Sequence, residues 1–141
     1  MEDETKAPSL WIVRLNVLFL RLGLKIGSQH LLSIAGRRSG KLRRTPVSIV
    51  TVDGVRYVVA AFSEVDWVKN ARAAGIGLLT RGRVQERVRI VELPVEERPV
   101  VLREFLRQVP GGVRFFGLSS DPDVITTRAA RYPVFRIDVP N

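Results

Sequence analysis

The densest chemistry in the chain lies between Gly36 and Pro46, which reads Gly-Arg-Arg-Ser-Gly-Lys-Leu-Arg-Arg-Thr-Pro: five cations, two hydroxyls and two glycines in eleven residues. Arginine presents a planar fork that binds phosphate or carboxylate through two parallel hydrogen bonds. Ser39 and Thr45 add neutral donors, and the glycines let backbone N–H groups approach a ligand. Such a segment suits an anion site built on a turn between two strands. It equally suits a solvated basic turn, and the residue types alone leave both open. It is not a nucleotide phosphate loop, because the GxxxxGK[ST] spacing is missing and no helix clearly follows. A nucleic-acid surface would interleave aromatic residues with the cations, and none stands between Gly36 and Val50.

A second cluster follows. Ala60, Ala61, Phe62 and Ser63 end a strand-like run, and Asp66-Trp67-Val68-Lys69-Asn70 opens a helical one. Small residues at a strand end leave room for a flat ring. Trp67 and Asn70 are three apart and share a helix face, so one can wall a ring while the other hydrogen-bonds its edge. Trp67 also fits a plain core position. The rest of the chain offers little for side-chain catalysis: no triad, no carboxylate pair and no metal cluster. There is no cysteine, which removes disulfides, thiolate nucleophiles and sulfur-ligated metals. The single histidine, His30, cannot build a zinc site, which needs three or four ligands, and is read as structural.

The net charge is +9, from 23 basic and 14 acidic residues, and four of the 23 are lysine. Three sources compete for this charge: an arginine-rich surface inherited from a GC-rich genome, a nucleic-acid surface, or a site for anionic ligands. At 141 residues, 45% of them hydrophobic, the chain fits one domain with a single core. Residues 1–8 read as disordered and 9–26 as an N-terminal helix. Arg14, Arg21 and Lys25 interrupt its apolar run, which makes it a poor signal peptide and a poor membrane span. It is expected to pack on the domain or lie on a membrane surface, in a cytoplasmic protein.

The elements that must position these residues follow from local pattern. Leu31–Ala35 reads as a buried strand and Gly36–Gly40 as the basic turn. Val47–Val52 and Val55–Ala61 are strands joined by Asp53-Gly54, which supplies the positive φ angles of a tight hairpin. Pro46 cannot donate to a ladder and marks an edge or a strand start. Asp66–Ala74 is a helix, capped by Asp66 and closed by Gly75. Ile76–Thr80 and Val84–Leu93 form a second hairpin around Arg81-Gly82. The apolar face switches at Val91 and Leu93, which suggests a bulge. Pro94 and Glu96-Glu97 open a helix carrying Leu102, Phe105, Leu106 and Val109, stopped at Gly111-Gly112. A helical turn at Asp123–Ala130 and a strand at Tyr132–Val139 complete the chain. Successive glycine-turn hairpins argue for an antiparallel sheet. About six strands with few helices can close into a small barrel. The fold class is therefore mainly β (α+β): one barrel domain, an N-terminal helix and two or three peripheral helices.

With these residues in view, the chain resembles the deazaflavin-dependent nitroreductase family of F420H2-dependent oxidoreductases, split-barrel proteins found mostly in actinobacteria. The likeness is carried by Leu31-Leu32-Ser33-Ile34-Ala35-Gly36-Arg37-Arg38-Ser39-Gly40-Lys41-Leu42-Arg43-Arg44-Thr45-Pro46, by Val58-Val59-Ala60-Ala61-Phe62-Ser63, and by Asp66-Trp67-Val68-Lys69-Asn70 with the Ala71-Arg72-Ala73-Ala74-Gly75 that follows. It runs from about Arg14 to Val139. The resemblance implies a flavin-binding split barrel that takes coenzyme F420, with FMN as the alternative cofactor. It implies that Arg38, Ser39, Lys41 and Arg43 hold the phosphate and polyglutamate tail, and that Thr45 and Pro46 contact the ring. Ala60, Ala61 and Ser63 then lie beneath the ring, beside Trp67 and Asn70. It accounts for the missing catalytic side chains, since a hydride carrier brings the chemistry with it. Members that reduce nitro prodrugs carry several tyrosines before the last strand. This chain has Phe115 and Phe116 there, so a substrate pocket of Ser63, Phe115 and Phe116 is expected, facing a quinone, an activated alkene or a nitro compound. A non-catalytic F420 carrier and a basic nucleic-acid-binding domain remain alternatives, and a homodimer is compatible.

Overall fold

Asp53 and Gly54 adopt φ angles of 51° and 80°, the pair of positive values that defines a tight hairpin whose twist matches its strands. They join β2 (Leu42–Val52) to β3 (Val55–Val59). The computed structural model describes residues 29–60, 65–109 and 121–140. The other elements are β1 (Gln29–Ala35), α1 (Asp66–Ala74), β4 (Ile76–Arg81), β5 (Val84–Glu92), α2 (Arg98–Gln108), α3 (Pro122–Arg128) and β6 (Val134–Asp138). Short 3₁₀ turns at Val95–Glu97 and Ala129–Arg131 lead into α2 and out of α3. The expected helix at 9–26, the disordered residues 1–8 and the stop at Gly111-Gly112 lie outside the described residues.

The six strands close in the order β1-β2-β3-β6-β5-β4, and every neighbouring pair is antiparallel. Closure leaves no free sheet edge to template aggregation. The barrel carries two apolar cores. The inner one gathers Leu32, Ile34, Val47, Val58, Leu79, Val88, Ile90, Phe135 and Ile137, with Val68 and Ala71 of α1 closing one end. The outer one gathers Val50, Val59, Leu93 and Val134 from the opposite strand faces beneath Val101, Leu102 and Phe105 of α2 and Ile125 of α3.

That second core corrects one expectation. The face change at Val91 and Leu93 is not a bulge, because β5 pairs with β6 in unbroken register from Arg89↔Asp138 to Glu92↔Phe135. Leu93 belongs instead to the outer core, so the apolar pattern crosses the strand without disturbing its ladder. Other boundaries shift as well. β2 begins at Leu42 and not Val47, so Arg43, Arg44, Thr45 and Pro46 lie inside a strand. Pro46 pairs with Leu31 in a stretch of β2 that has β1 as its only partner, since pairing with β3 starts at Ile49; its missing N–H is tolerated there. β3 stops at Val59, although the Ala60 N–H still donates to the Pro133 carbonyl at 2.9 Å. The second hairpin turns at Gly82-Arg83, with Gly82 at φ 61° and Arg81 ending β4. The last strand is trimmed to Val134–Asp138.

Candidate functional site

The basic segment is a six-residue connection, Gly36–Lys41, between the last β1–β2 pair, Ala35↔Leu42, and is held by its own backbone. The Gly36 N–H donates to the Lys41 carbonyl and the Gly40 N–H to the Gly36 carbonyl, both at 2.8 Å. Gly40 sits at φ 75°, where a side chain would be strained. The Ser39 hydroxyl accepts from the Lys41 N–H at 3.2 Å. At Gly36 a Cβ would lie 3.2 Å from both Arg43 Nε and Ser39 Oγ, so those side chains would have to give by a few tenths of an ångström. Those two donors therefore crowd the bare face of Gly36.

Strand alternation places Arg43 and Thr45 on the face of β2 that carries Val47 of the inner core, while Pro46 is buried on the other face. Arg38, Arg43 and Arg44 are exposed, and none has a carboxylate partner among the described residues. Elsewhere some arginines are matched, Arg56 with Glu86 at 2.9 Å, Arg72 with Glu92 at 2.8 Å and Arg136 with Asp138 at 3.0 Å, while others, Arg87 and Arg103 among them, show no ion pair among the described residues. What sets the loop apart is that its unpaired arginines stand close together in the chain. Unmatched guanidinium groups around a glycine cradle fit an anionic ligand bearing several charges.

Next to this loop, α1 seals the end of the barrel. It starts at Asp66 and ends at Gly75, whose φ of 71° and N–H bond to the Ala71 carbonyl give the expected left-handed stop. Asp66 does not cap it: Val65 holds the cap position and no side chain caps the helix. The Asp66 carboxylate instead lies 3.5 Å from Arg37 Nη2. Trp67 is half-buried and stacks obliquely on Phe135, with ring centroids 5.5 Å apart at 52°. With the buried Ala60, it gives the barrel end a flat apolar floor. Asn70 is 3% exposed, and its Oδ1 accepts from the Arg37 backbone N–H at 3.0 Å and from Arg37 Nη1 at 2.8 Å. Arg37 thus holds the loop that carries Arg38, Ser39 and Lys41 against α1, while Arg43 and Thr45 lie on the adjoining β2, paired with Ile34 and Leu32 of β1. Ala61, Ser63, Phe115 and Phe116 fall outside the described residues.

Sequence reasoning missed Arg37, which has the same residue type as Arg38 beside it but turns inward onto α1. It also missed the clamp behind the helix. Glu92 joins Arg72 of α1 to Arg98 of α2, at 2.8 and 3.1 Å. Hydrogen bonding from Arg72 holds the Glu92 carboxyl below the usual carboxylate range, and Arg98 reinforces it. Arg98, 6% exposed, also donates to the Leu93, Ala129 and Ala130 carbonyls. Its fork marks the packing of the outer core. The described residues contain no cluster of three potential metal ligands.

Residues 12–117 match the model of the F420H(2)-dependent quinone reductase family. No curated protein matches the chain in sequence. Several solved structures share its architecture. An F420-H2 dependent reductase is 20% identical over 79% of this chain and 94% of its own, with a TM-score of 0.52. A protein described as a domain-swapped dimer is 22% identical over 93% and 99%, at 0.53. An FAD-binding protein from Mesorhizobium loti is 15% identical over 81% and 82%, at 0.55. At these identities the likeness speaks for the fold. The family model speaks for the chemistry: it runs through the loop, α1 and most of the barrel, and on that match the chain belongs to the F420H(2)-dependent quinone reductase family and is an F420-dependent oxidoreductase.

Proposed function

We propose that this reductase uses reduced F420 to reduce a planar apolar quinone, in preference to a bulky nitro compound. The observation that carries the site assignment is the loop itself. Arg43 and Ser39 stand beside the bare face of Gly36, and neither Arg38 nor Arg43 has a carboxylate partner among the described residues. In this reading Arg38, Ser39, Lys41 and Arg43 bind the phosphate and glutamate tail. On the same reading Thr45, Ala60, Ala61, Ser63 and Trp67 border the ring, with Pro46, whose side chain is buried on the other face of β2, contributing only through its backbone. When bound, the deazaflavin supplies the hydride. The chain's own residues bind it, orient it and keep water away. An acceptor must be held about 3–3.5 Å from the donor carbon, so selectivity rests on what lines the mouth. Phe115 and Phe116 cannot donate a hydrogen bond to a nitro oxygen as charge develops on it; in this reading they would wall the mouth for a quinone, with Ser63 supplying a hydroxyl.

Two measurements test this. Titration with F420 and with FMN should favour F420, because FMN offers one phosphate to a loop of several cations; equal or tighter FMN binding defeats the cofactor assignment. A parallel assay of a short-chain quinone and a nitroimidazole should show quinone turnover, with nitro reduction rising in Phe115→Tyr or Phe116→Tyr. Efficient nitro reduction without quinone turnover defeats the substrate assignment. The reading also includes a cytoplasmic enzyme, able to form a homodimer and to touch a membrane surface through residues 9–26. No helix among the described residues is long and apolar enough to cross a membrane.

A further inference from the structure

We infer that Asn70 is a positioning residue, which presents the basic loop to the cofactor's anionic tail by gripping Arg37 and does not itself touch the cofactor. The inference rests on the cofactor site proposed above. A carboxamide oxygen has two lone pairs, and both of those on Asn70 are engaged by Arg37, at 3.0 Å from its backbone N–H and 2.8 Å from its Nη1. The other end of the same guanidinium lies 3.5 Å from Asp66, one turn earlier on α1. Residues 66 and 70 share a helix face, so a single arginine spans two points on the helix.

The remaining loop bonds, between Gly36 and Lys41, Gly40 and Gly36, and Lys41 and Ser39, are internal. They set the loop's shape but not its position. Among the described residues, the hydrogen bonds that tie Arg37–Gly40 to another element are those to Asn70. Arg37 is therefore spent on holding the loop, and Arg38 and Arg43 are left to face a ligand. Releasing the grip makes binding order the loop as well as fill it. The penalty falls on the tail-binding half of the site. The floor that borders the ring, Ala60 and Trp67 over Phe135, rests on the barrel and stays in place.

The decisive comparison is Asn70→Ala against Asn70→Asp. Aspartate keeps both acceptor positions and gains a charge that Arg37 matches, but it has no N–H to donate. Asn70→Ala should weaken F420 binding about tenfold, the loss expected for an ordinary hydrogen-bonded contact. It should leave binding of a deazaflavin fragment without phosphate or tail unchanged. Asn70→Asp should restore F420 affinity. If Asn70 donated directly to the cofactor, Asn70→Asp would set a carboxylate against an anion and bind more weakly than Asn70→Ala. That result overturns the inference. Amide exchange at Arg37, measured without cofactor, provides a readout independent of the ligand: it should speed up in Asn70→Ala and not in Asn70→Asp. Unchanged exchange in Asn70→Ala also overturns the inference. Arg37→Ala, which removes the Nη1 bond to Asn70 and the contact with Asp66 but keeps the backbone bond, should weaken F420 in the same direction. A wild-type protein that failed to bind F420 would refute the cofactor site, while the exchange measurement would still decide the grip.

Discussion

Replacing Arg43 by alanine separates a contact from a field. The Arg43 side chain is exposed, has no carboxylate partner among the described residues, and touches the bare face of Gly36. The fold loses little when it is removed, as for other surface positions, where changes stay within about 0.5 kcal/mol. Binding loses a charge-assisted hydrogen bond, about 1.5–3 kcal/mol, which is about ten- to a hundredfold in Kd. The net charge of +9 also falls by one, and that part is controlled by Arg87→Ala. Arg44, Ser33, Leu78 and Arg87 lie opposite one another on successive strands β2, β1, β4 and β5. β5 is three steps from β2 either way round the closed barrel, so Arg87 lies on the side opposite the loop's strand, separated from it by the barrel's width, more than the screening length of about 8 Å at physiological salt. Arg87→Ala should therefore change F420 affinity less than about twofold under the same conditions. The assay is a fluorescence titration of F420 with each variant, with thermal unfolding run alongside. Unchanged affinity in Arg43→Ala refutes the contact. Equal losses in both variants would mean that net charge, and not the loop, draws the cofactor in.

Three further outcomes test the scaffold. Arg98→Ala strips a buried partner from Glu92 and from three carbonyls, and should destabilise the protein by about 3–5 kcal/mol in urea unfolding; a loss under 1 kcal/mol would show the clamp to be idle. Arg56, by hydrogen bonding, holds the Glu86 carboxyl below its ordinary value. A depressed carboxyl contributes stability above its unfolded pKa and loses it as pH falls through the lower folded value. Thermal stability of Glu86→Gln should therefore fall less steeply than wild type on acidification below the ordinary carboxylate range. Gly54→Ala meets no atom within 4 Å, so its cost is the left-handed backbone alone, about 1–2 kcal/mol; no loss would mean the turn relaxes.

The features legible in the sequence were those fixed by local stereochemistry. Asp53-Gly54 and Gly75 were legible because positive φ restricts residue choice, and the helix between Asp66 and Ala74 has the predicted bounds. The barrel followed from its hairpins. The loop's cations were readable by type, but not their division of labour. Arg37 and Arg38 differ only in which way a loop of known internal shape happens to face α1, and that is a tertiary fact. The start of β2 was missed because Leu42–Thr45 are polar or exposed, so no alternation marks them. The false bulge has a related cause. A period-2 reading assumes one buried face, and Leu93 is buried on the other.

The two cores have a consequence for how the chain finds its fold. In most half-buried strands a slip of one residue drives apolar side chains into water, and that penalty sets the register. In β3 and β6 it is weakened. Val58 and Phe135 face the inner core while their neighbours Val59 and Val134 face the outer one, and all four are buried. A slipped pairing would still bury valine against phenylalanine. What it could not keep is the bidentate match of Arg56 with Glu86, or the Asp53-Gly54 turn that times the start of β3. The polar pair and the turn therefore act as proofreading marks in strands that hydrophobicity alone would let misalign. Variants lacking either should refold through longer-lived misregistered states, even where the native barrel they finally reach is little changed.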